Sequence, residues 1–175
     1  MAIDSRTENE KSTGGTRVQK ITPYFWFDDQ AEEAAKFYVS IFKNSRVRSV
    51  TRDPVGVGGQ QGRVMVVDFQ LEGQNFIALN GGPQFKFTEA ISLFVTCETQ
   101  AEVDELWKKL TSDGGEESQC GWLKDKYGLS WQIIPRQLME MMQDRDPAKA
   151  KRVTEAMLQM RKIDIAGLKS AYDQR

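Results

Sequence analysis

The residues of this chain able to hold or transform a small molecule are few, and most are neutral. Trp122 and Trp131 flank the last hairpin that the sequence suggests, and Tyr24 and Trp26 stand on its first strand-like segment. Aromatic rings on a concave sheet stack on a flat ligand, and the same rings serve equally well as core. Gln132 and Asn80 are amides at strand ends, which either orient a ligand's polar atoms or satisfy backbone groups. Cys120, with Lys124 four residues on, is either a thiol activated by a neighbouring cation or a buried, inert one. Cys97, inside an apolar segment, reads as inert. Glu116-Glu117 are adjacent, and adjacent strand residues point to opposite faces, so they do not form a proton-sharing dyad.

No histidine occurs among the 175 residues. That absence removes Ser-His-Asp and Cys-His nucleophiles and the familiar zinc sites, leaving proton transfer to carboxylates, Lys, Tyr or Cys. No GxGxxG follows a strand and no GxxxxGK[ST] occurs; Gly56, Gly58, Gly59 and Gly62 lie between two strand-like segments and read as a flexible hairpin connection. With 24 Lys+Arg against 25 Asp+Glu, the net charge of −1 is no electrostatic footprint for nucleic acid. Apolar runs stop at four residues, so no membrane span is expected. Residues 1–20 lack the apolar stretch of a signal peptide, and the two cysteines form no disulfide framework, so a cytoplasmic location is expected.

The elements that must carry these residues follow from periodicity. Residues 1–19 are polar and aperiodic and are expected to be a disordered tail. Ile21–Phe27 predicts a strand, and Asp29-Gln30-Ala31-Glu32 has the form of a capping box opening a helix with Ala31, Ala34, Ala35, Tyr38, Ile41 and Phe42 on one face. Asn44 is suited to a left-handed stop. Strands follow over Arg46–Arg52, Arg63–Leu71 and Gln74–Leu79, the second alternating Met65, Val67, Phe69 and Leu71 on one face.

The order then begins again. Ile91–Cys97 predicts a strand, Thr99-Gln100-Ala101-Glu102 a second capping box, and Val103, Leu106, Trp107 and Leu110 a helical stripe. Strands over Ser118–Lys124 and Leu129–Ile134 close the unit. An offset of 70 superposes Ile21 on Ile91, Gln30-Ala31-Glu32 on Gln100-Ala101-Glu102, and Phe37 on Trp107, so the chain reads as two copies of one supersecondary unit. Beyond Pro135 the pattern is helical, with Met141, Met142, Met157 and Met160 in the apolar stripes and with Asp146-Pro147 and Asp164 as helix starts. The fold expected is α+β: two tandem β-α-β-β-β modules, about 20–82 and 90–135 within a paired domain 20–135, plus a helical C-terminal extension over 136–175.

This tandem order resembles the vicinal oxygen chelate superfamily, which includes glyoxalase I, extradiol dioxygenases and bleomycin-resistance proteins. Ile21-Thr22-Pro23-Tyr24, Asn80-Gly81-Gly82-Pro83, Ala90-Ile91-Ser92 and the block Cys120-Gly121-Trp122-Leu123-Lys124-Asp125-Lys126-Tyr127-Gly128-Leu129-Ser130-Trp131-Gln132 are similar to its PhnB-like branch, often labelled 3-demethylubiquinone-9 3-methyltransferase. Met160-Arg161-Lys162-Ile163-Asp164-Ile165 looks like the same group, so that the likeness runs over about 20–173. The resemblance implies U-shaped sheets around a cavity and a homodimer. It also implies metal-ligand slots near Thr22, at Ala78 or Asn80, near Ser92 and at Gln132. None of these is ionisable, so no metal and no cofactor is expected. The methyltransferase label implies S-adenosylmethionine, for which the chain offers neither a Gly-rich turn nor an acid placed for the ribose.

The expected function is binding of a small planar or oxygenated molecule in a cavity drawn from Tyr24, Asn80, Ser92, Cys120, Trp122, Trp131 and Gln132, without a catalytic metal. The alternative is an enzyme of the superfamily, a metal-dependent lyase or dioxygenase type or the methyltransferase of the label, with catalytic residues unassigned. A purely structural dimerisation module is the third possibility.

Overall fold

The structure is a computed structural model that describes residues 19–56 and 61–174. The expected tail, apart from Gln19, and the centre of the Gly-rich connection lie outside the described residues.

The first module runs β1 (Tyr24–Phe27), α1 (Ala31–Ile41), β2 (Arg46–Arg52), β3 (Val64–Leu71) and β4 (Gln74–Asn80). The second runs β5 (Ser92–Cys97), α2 (Gln100–Leu110), a 3₁₀ turn at Ser112–Gly114, β6 (Glu116–Glu117), β7 (Trp122–Lys124) and β8 (Ser130–Pro135). Their sheets have the same topology, β1-β4-β3-β2 and β5-β8-β7-β6, with the first strand parallel to the last and the remaining pairs antiparallel. Each helix buries the same i, i+3, i+4, i+7 stripe on its sheet: Ala31, Ala34, Ala35 and Tyr38 in α1, Val103, Leu106, Trp107 and Leu110 in α2.

The helix-facing sides of both sheets meet in one core, to which β3 sends Val67, Phe69 and Leu71 and β8 sends Trp131 and Ile133. The two modules are therefore a single packing unit. Three helices follow β8: α3 (Arg136–Met142), α4 (Pro147–Leu158) and α5 (Ile165–Asp173). They form a second cluster around Leu138, Val153, Ile163 and Leu168 that takes in Ile134 of β8.

Two local expectations are corrected. The first strand begins at Tyr24, because Pro23 has no amide to donate and its carbonyl accepts from Ile77 ahead of the ladder. The helix α1 has no side-chain cap of its own: its N-cap residue is Gln30, and Asn80 Oδ1, 49 residues away, accepts from Ala31 N at 2.8 Å. In α2 the local cap does form, with Thr99 Oγ1 accepting from Glu102 N at 3.2 Å and Glu102 accepting in return from Glu98 N at 2.7 Å. Asn44 is left-handed at φ 45°, as its side chain allows. No helix among the described residues is long and apolar enough to cross a membrane.

Candidate functional site

Residues paired directly across a sheet point to the same side, so the registers state which side chains share a face. On the side of the second sheet away from α2, one row runs Glu116, Lys124, Ser130, Ser92, and the next runs Trp122, Gln132, Phe94. The third row, Ile134 and Thr96, reaches the C-terminal helices through Ile134. Gln132 thus stands at the centre of the face with an aromatic residue on either flank. Its Nε2 donates to Ser92 Oγ at 2.8 Å, which fixes the orientation of the amide. No hydrogen bond among the described residues engages Gln132 Oε1, so this oxygen is a free acceptor. Phe94 is half exposed and Trp122 partly so.

Of the residues expected at the site, the structure gathers Ser92, Trp122 and Gln132. Trp131 goes elsewhere. It precedes Gln132 on β8 and so points to the opposite face, is 1 % exposed, stacks on Phe42 with ring centroids 5.3 Å apart, and donates Nε1 to Asp125 Oδ2 at 2.8 Å. Strand alternation already separates positions 131 and 132, and that signal was sufficient to divide the pair. Trp131 and Ser92 do share the wall of an apolar cavity of about 430 Å³ along the free edge of β5, beside Phe42, Leu71 and Phe76.

Asn80 is committed to the fold at both ends of its amide, Oδ1 to Ala31 N and Nδ2 donating to Val64 O at 3.1 Å. Tyr24 lies on the first sheet, in the row Tyr24, Ile77, Asp68 that corresponds to Phe94, Gln132, Trp122. Cys120 sits in the turn before β7 at φ 57°, its backbone amide donating to Met160 O at 2.8 Å. Cys97 is fully buried, and burial pushes its thiol up to about 12.

The turn Asp125–Gly128, between β7 and β8, holds a buried carboxylate. Asp125 is 2 % exposed, and its carboxylate accepts from the Tyr38 hydroxyl and Trp131 Nε1, both at 2.8 Å, and from the amides of Tyr127 and Leu129 at 2.9 and 3.1 Å. Burial raises its pKa above the ordinary aspartate value despite the four donors. Burial likewise holds the Tyr38 phenol far above its usual range, with the facing carboxylate adding to the effect. This group locks α1 of the first module to the last hairpin of the second, and all its partners are internal.

The fold family implies a divalent cation between the two modules, and the donor set does not fit one. The register counterpart of Gln132 in the first sheet is Ile77, Ala78 is buried on the helix side, and Asn80 is engaged. On the face of the second sheet Gln132, Ser92 and Ser130 supply an amide and two hydroxyls, and the one carboxylate in its rows, Glu116, stands across the ladder from Lys124, whose ammonium opposes a divalent ion there. Among the described residues no group of three or more His, Cys, Asp or Glu side chains converges on one point.

The sequence model of the 3-demethylubiquinone-9 3-methyltransferase family matches residues 19–134. Among solved structures, the PhnB protein of Bacillus cereus is 40 % identical, with 67 % of this chain and 99 % of that chain covered and a TM-score of 0.62. Protein PA1353 of Pseudomonas aeruginosa is 16 % identical over 67 % of this chain and 98 % of that one, with a TM-score of 0.55, and shares the fold. No curated protein sequence matches. The family match ends before α3, so the three C-terminal helices lie beyond it. By its paired modules, its matched residues 19–134 and its likeness to PhnB, the chain belongs to the PhnB-like, 3-demethylubiquinone-9 3-methyltransferase family.

Proposed function

We propose that the protein binds a small planar or oxygenated molecule on the face of the second sheet, without a catalytic metal. The observation that carries this reading is the central amide. Gln132, oriented by Ser92 and flanked in register by Trp122 and Phe94, offers a fixed acceptor between two aromatic residues. A flat ligand stacks on such rings while its polar edge meets the amide. Binding or sequestration is favoured over the metal-dependent chemistry of the superfamily because the donors suit an organic ligand and not a divalent metal.

Two copies complete the site in this reading. Ile21 and Ile91, just ahead of β1 and β5, and Tyr24 and Phe94 on those edge strands, are repeat-equivalent pairs that are 88, 72, 55 and 50 % exposed. Matched apolar residues on two free strand edges favour association with a second copy over permanent exposure.

Native mass spectrometry of the protein purified from its expression host tests the ligand directly. A stoichiometric small molecule is expected on the wild type and lost from Trp122→Ala and Gln132→Leu variants that retain the wild-type fold. A ligand retained equally by both variants overturns the assignment of the face.

A further inference from the structure

One group on this face is left unsatisfied by its own chain. Ser130 is 1 % exposed, and its Oγ has no hydrogen-bond partner among the described residues. A buried hydroxyl left unpaired is destabilising, and native structures contain few such groups. Ser130 lines a cavity of about 130 Å³ with Glu89, Glu116, Glu117, Trp122 and Lys124. Lys124 is already ion-paired with Glu89. Glu117 turns its side chain to the other side of the sheet, where it accepts from Trp107 Nε1 at 2.8 Å. Glu116, opposite Lys124 in the ladder, is held by no ion pair among the described residues. The carboxylates of Glu89 and Glu116 against one ammonium leave this side of the cavity with an excess of negative charge, and Trp122 lines it beside them.

We propose that the ligand of this face carries a protonated amine, which enters the cavity with its N–H groups directed to Ser130 Oγ and the Glu116 carboxylate and its charge beside the Trp122 ring. The inference rests on the reading of the face as a ligand site and adds the chemical class. An ammonium is the complement of the three features together: it donates to an orphan hydroxyl oxygen, neutralises an unpaired carboxylate and is attracted by an indole face. A cavity of this size takes the end of a ligand, leaving the body of the molecule over Trp122 and Gln132.

Calorimetric titration of the full chain with benzylammonium, benzyl alcohol and benzoate, at one ionic strength, tests the class. Benzylammonium is expected to bind at least about tenfold more tightly than either analogue, as a charge-assisted hydrogen bond implies. Ser130→Ala and Glu116→Gln are each expected to weaken benzylammonium by about three- to tenfold while leaving benzyl alcohol unchanged. The ligand-free Ser130→Ala protein is expected to melt no lower than the wild type, because its hydroxyl has no internal partner; a clear drop assigns the hydroxyl to the fold and overturns the proposal. If benzyl alcohol or benzoate binds as well as benzylammonium and Trp122→Ala abolishes that binding, the amine is overturned and the ligand face stands. If no probe binds, or binding ignores Trp122→Ala, both fall.

Discussion

The Tyr38 hydroxyl donates to Asp125 Oδ2 at 2.8 Å, joining the first module's helix to the second module's last turn across 87 residues. Asp125 also holds Trp131 Nε1 and two amides of its own turn, so one buried carboxylate closes the turn and the junction between modules. Asp125→Ala leaves these donors without an acceptor. It is expected to destabilise the protein by about 3–5 kcal/mol, while Tyr38→Phe, which removes one donor, is expected to lose only about 1 kcal/mol. Urea unfolding of both variants measures the difference.

The same carboxylate sets a pH dependence of defined sign. Its pKa in the folded protein is raised by burial, so the folded state takes up a proton before the unfolded chain does. Stability from this group therefore increases as pH falls through the raised folded value, and levels off below the ordinary aspartate value. The stability of the wild type relative to Asp125→Asn is expected to rise on acidification across that window. Unfolding midpoints of the two proteins measured over the acidic range report it, and a difference that falls with acid would falsify the assignment.

Asn80 should behave as a cap and not as a ligand contact. Asn80→Ala removes the acceptor at Ala31 N and the donor at Val64 O and is expected to destabilise by about 1–3 kcal/mol. Ligand affinity measured well below the melting temperature is expected to stay within twofold, roughly the scatter of a surface change.

Gly121 joins the core modules to the C-terminal helices. Its φ is +83°, and an added Cβ meets Ile134 Cδ1 at 2.6 Å, Ile133 O at 3.0 Å and Ile163 Cγ1 at 3.1 Å. Its amide donates to Arg161 O at 2.7 Å. Gly121→Ala is expected to destabilise by about 2–5 kcal/mol through backbone strain and overpacking together. Thermal unfolding tests this, and Gly128→Ala, at a similar φ of +84° with nothing within 4 Å of the added atom, isolates the strain alone.

The two thiols should separate cleanly. Cys97 is fully buried with its pKa pushed up to about 12, whereas Cys120 is partly exposed in a turn. A disulfide exchange reagent in mildly alkaline buffer is expected to label the native protein once, at Cys120, and Cys120→Ser is expected to abolish labelling until the protein is unfolded. Labelling of native Cys97 contradicts the packing of β5.

The family's methyltransferase label makes a further check available. β1 leads into α1 through Asp28, Asp29 and Gln30, with no glycine to bring backbone against a cofactor's charged group. Saturating S-adenosylmethionine is expected to leave the melting temperature unchanged, and a concentration-dependent rise would overturn that.

The amino-acid sequence by itself determined the repeat. Apolar stripes at Ala31–Tyr38 and Val103–Leu110, and alternation through Val67, Phe69 and Leu71, depend only on near neighbours, so local periodicity reveals them. It also determined that the ligand candidates are amides, hydroxyls, a thiol and aromatic rings, since a missing histidine needs no coordinates to be noticed. Tertiary structure alone decided which candidates meet. Asn80 is drawn to a helix start 49 residues away because α1 lacks a local cap, and Asp125 is turned inward because Tyr38 and Trp131 bring two donors to it from elsewhere. Ser130 looks like any strand serine in the sequence, and only the closing of the sheet around it leaves its hydroxyl buried and unpaired. The division follows from the range of the forces: helix and strand patterns are written within a few residues, whereas a buried polar group is defined by partners that the chain supplies from any distance.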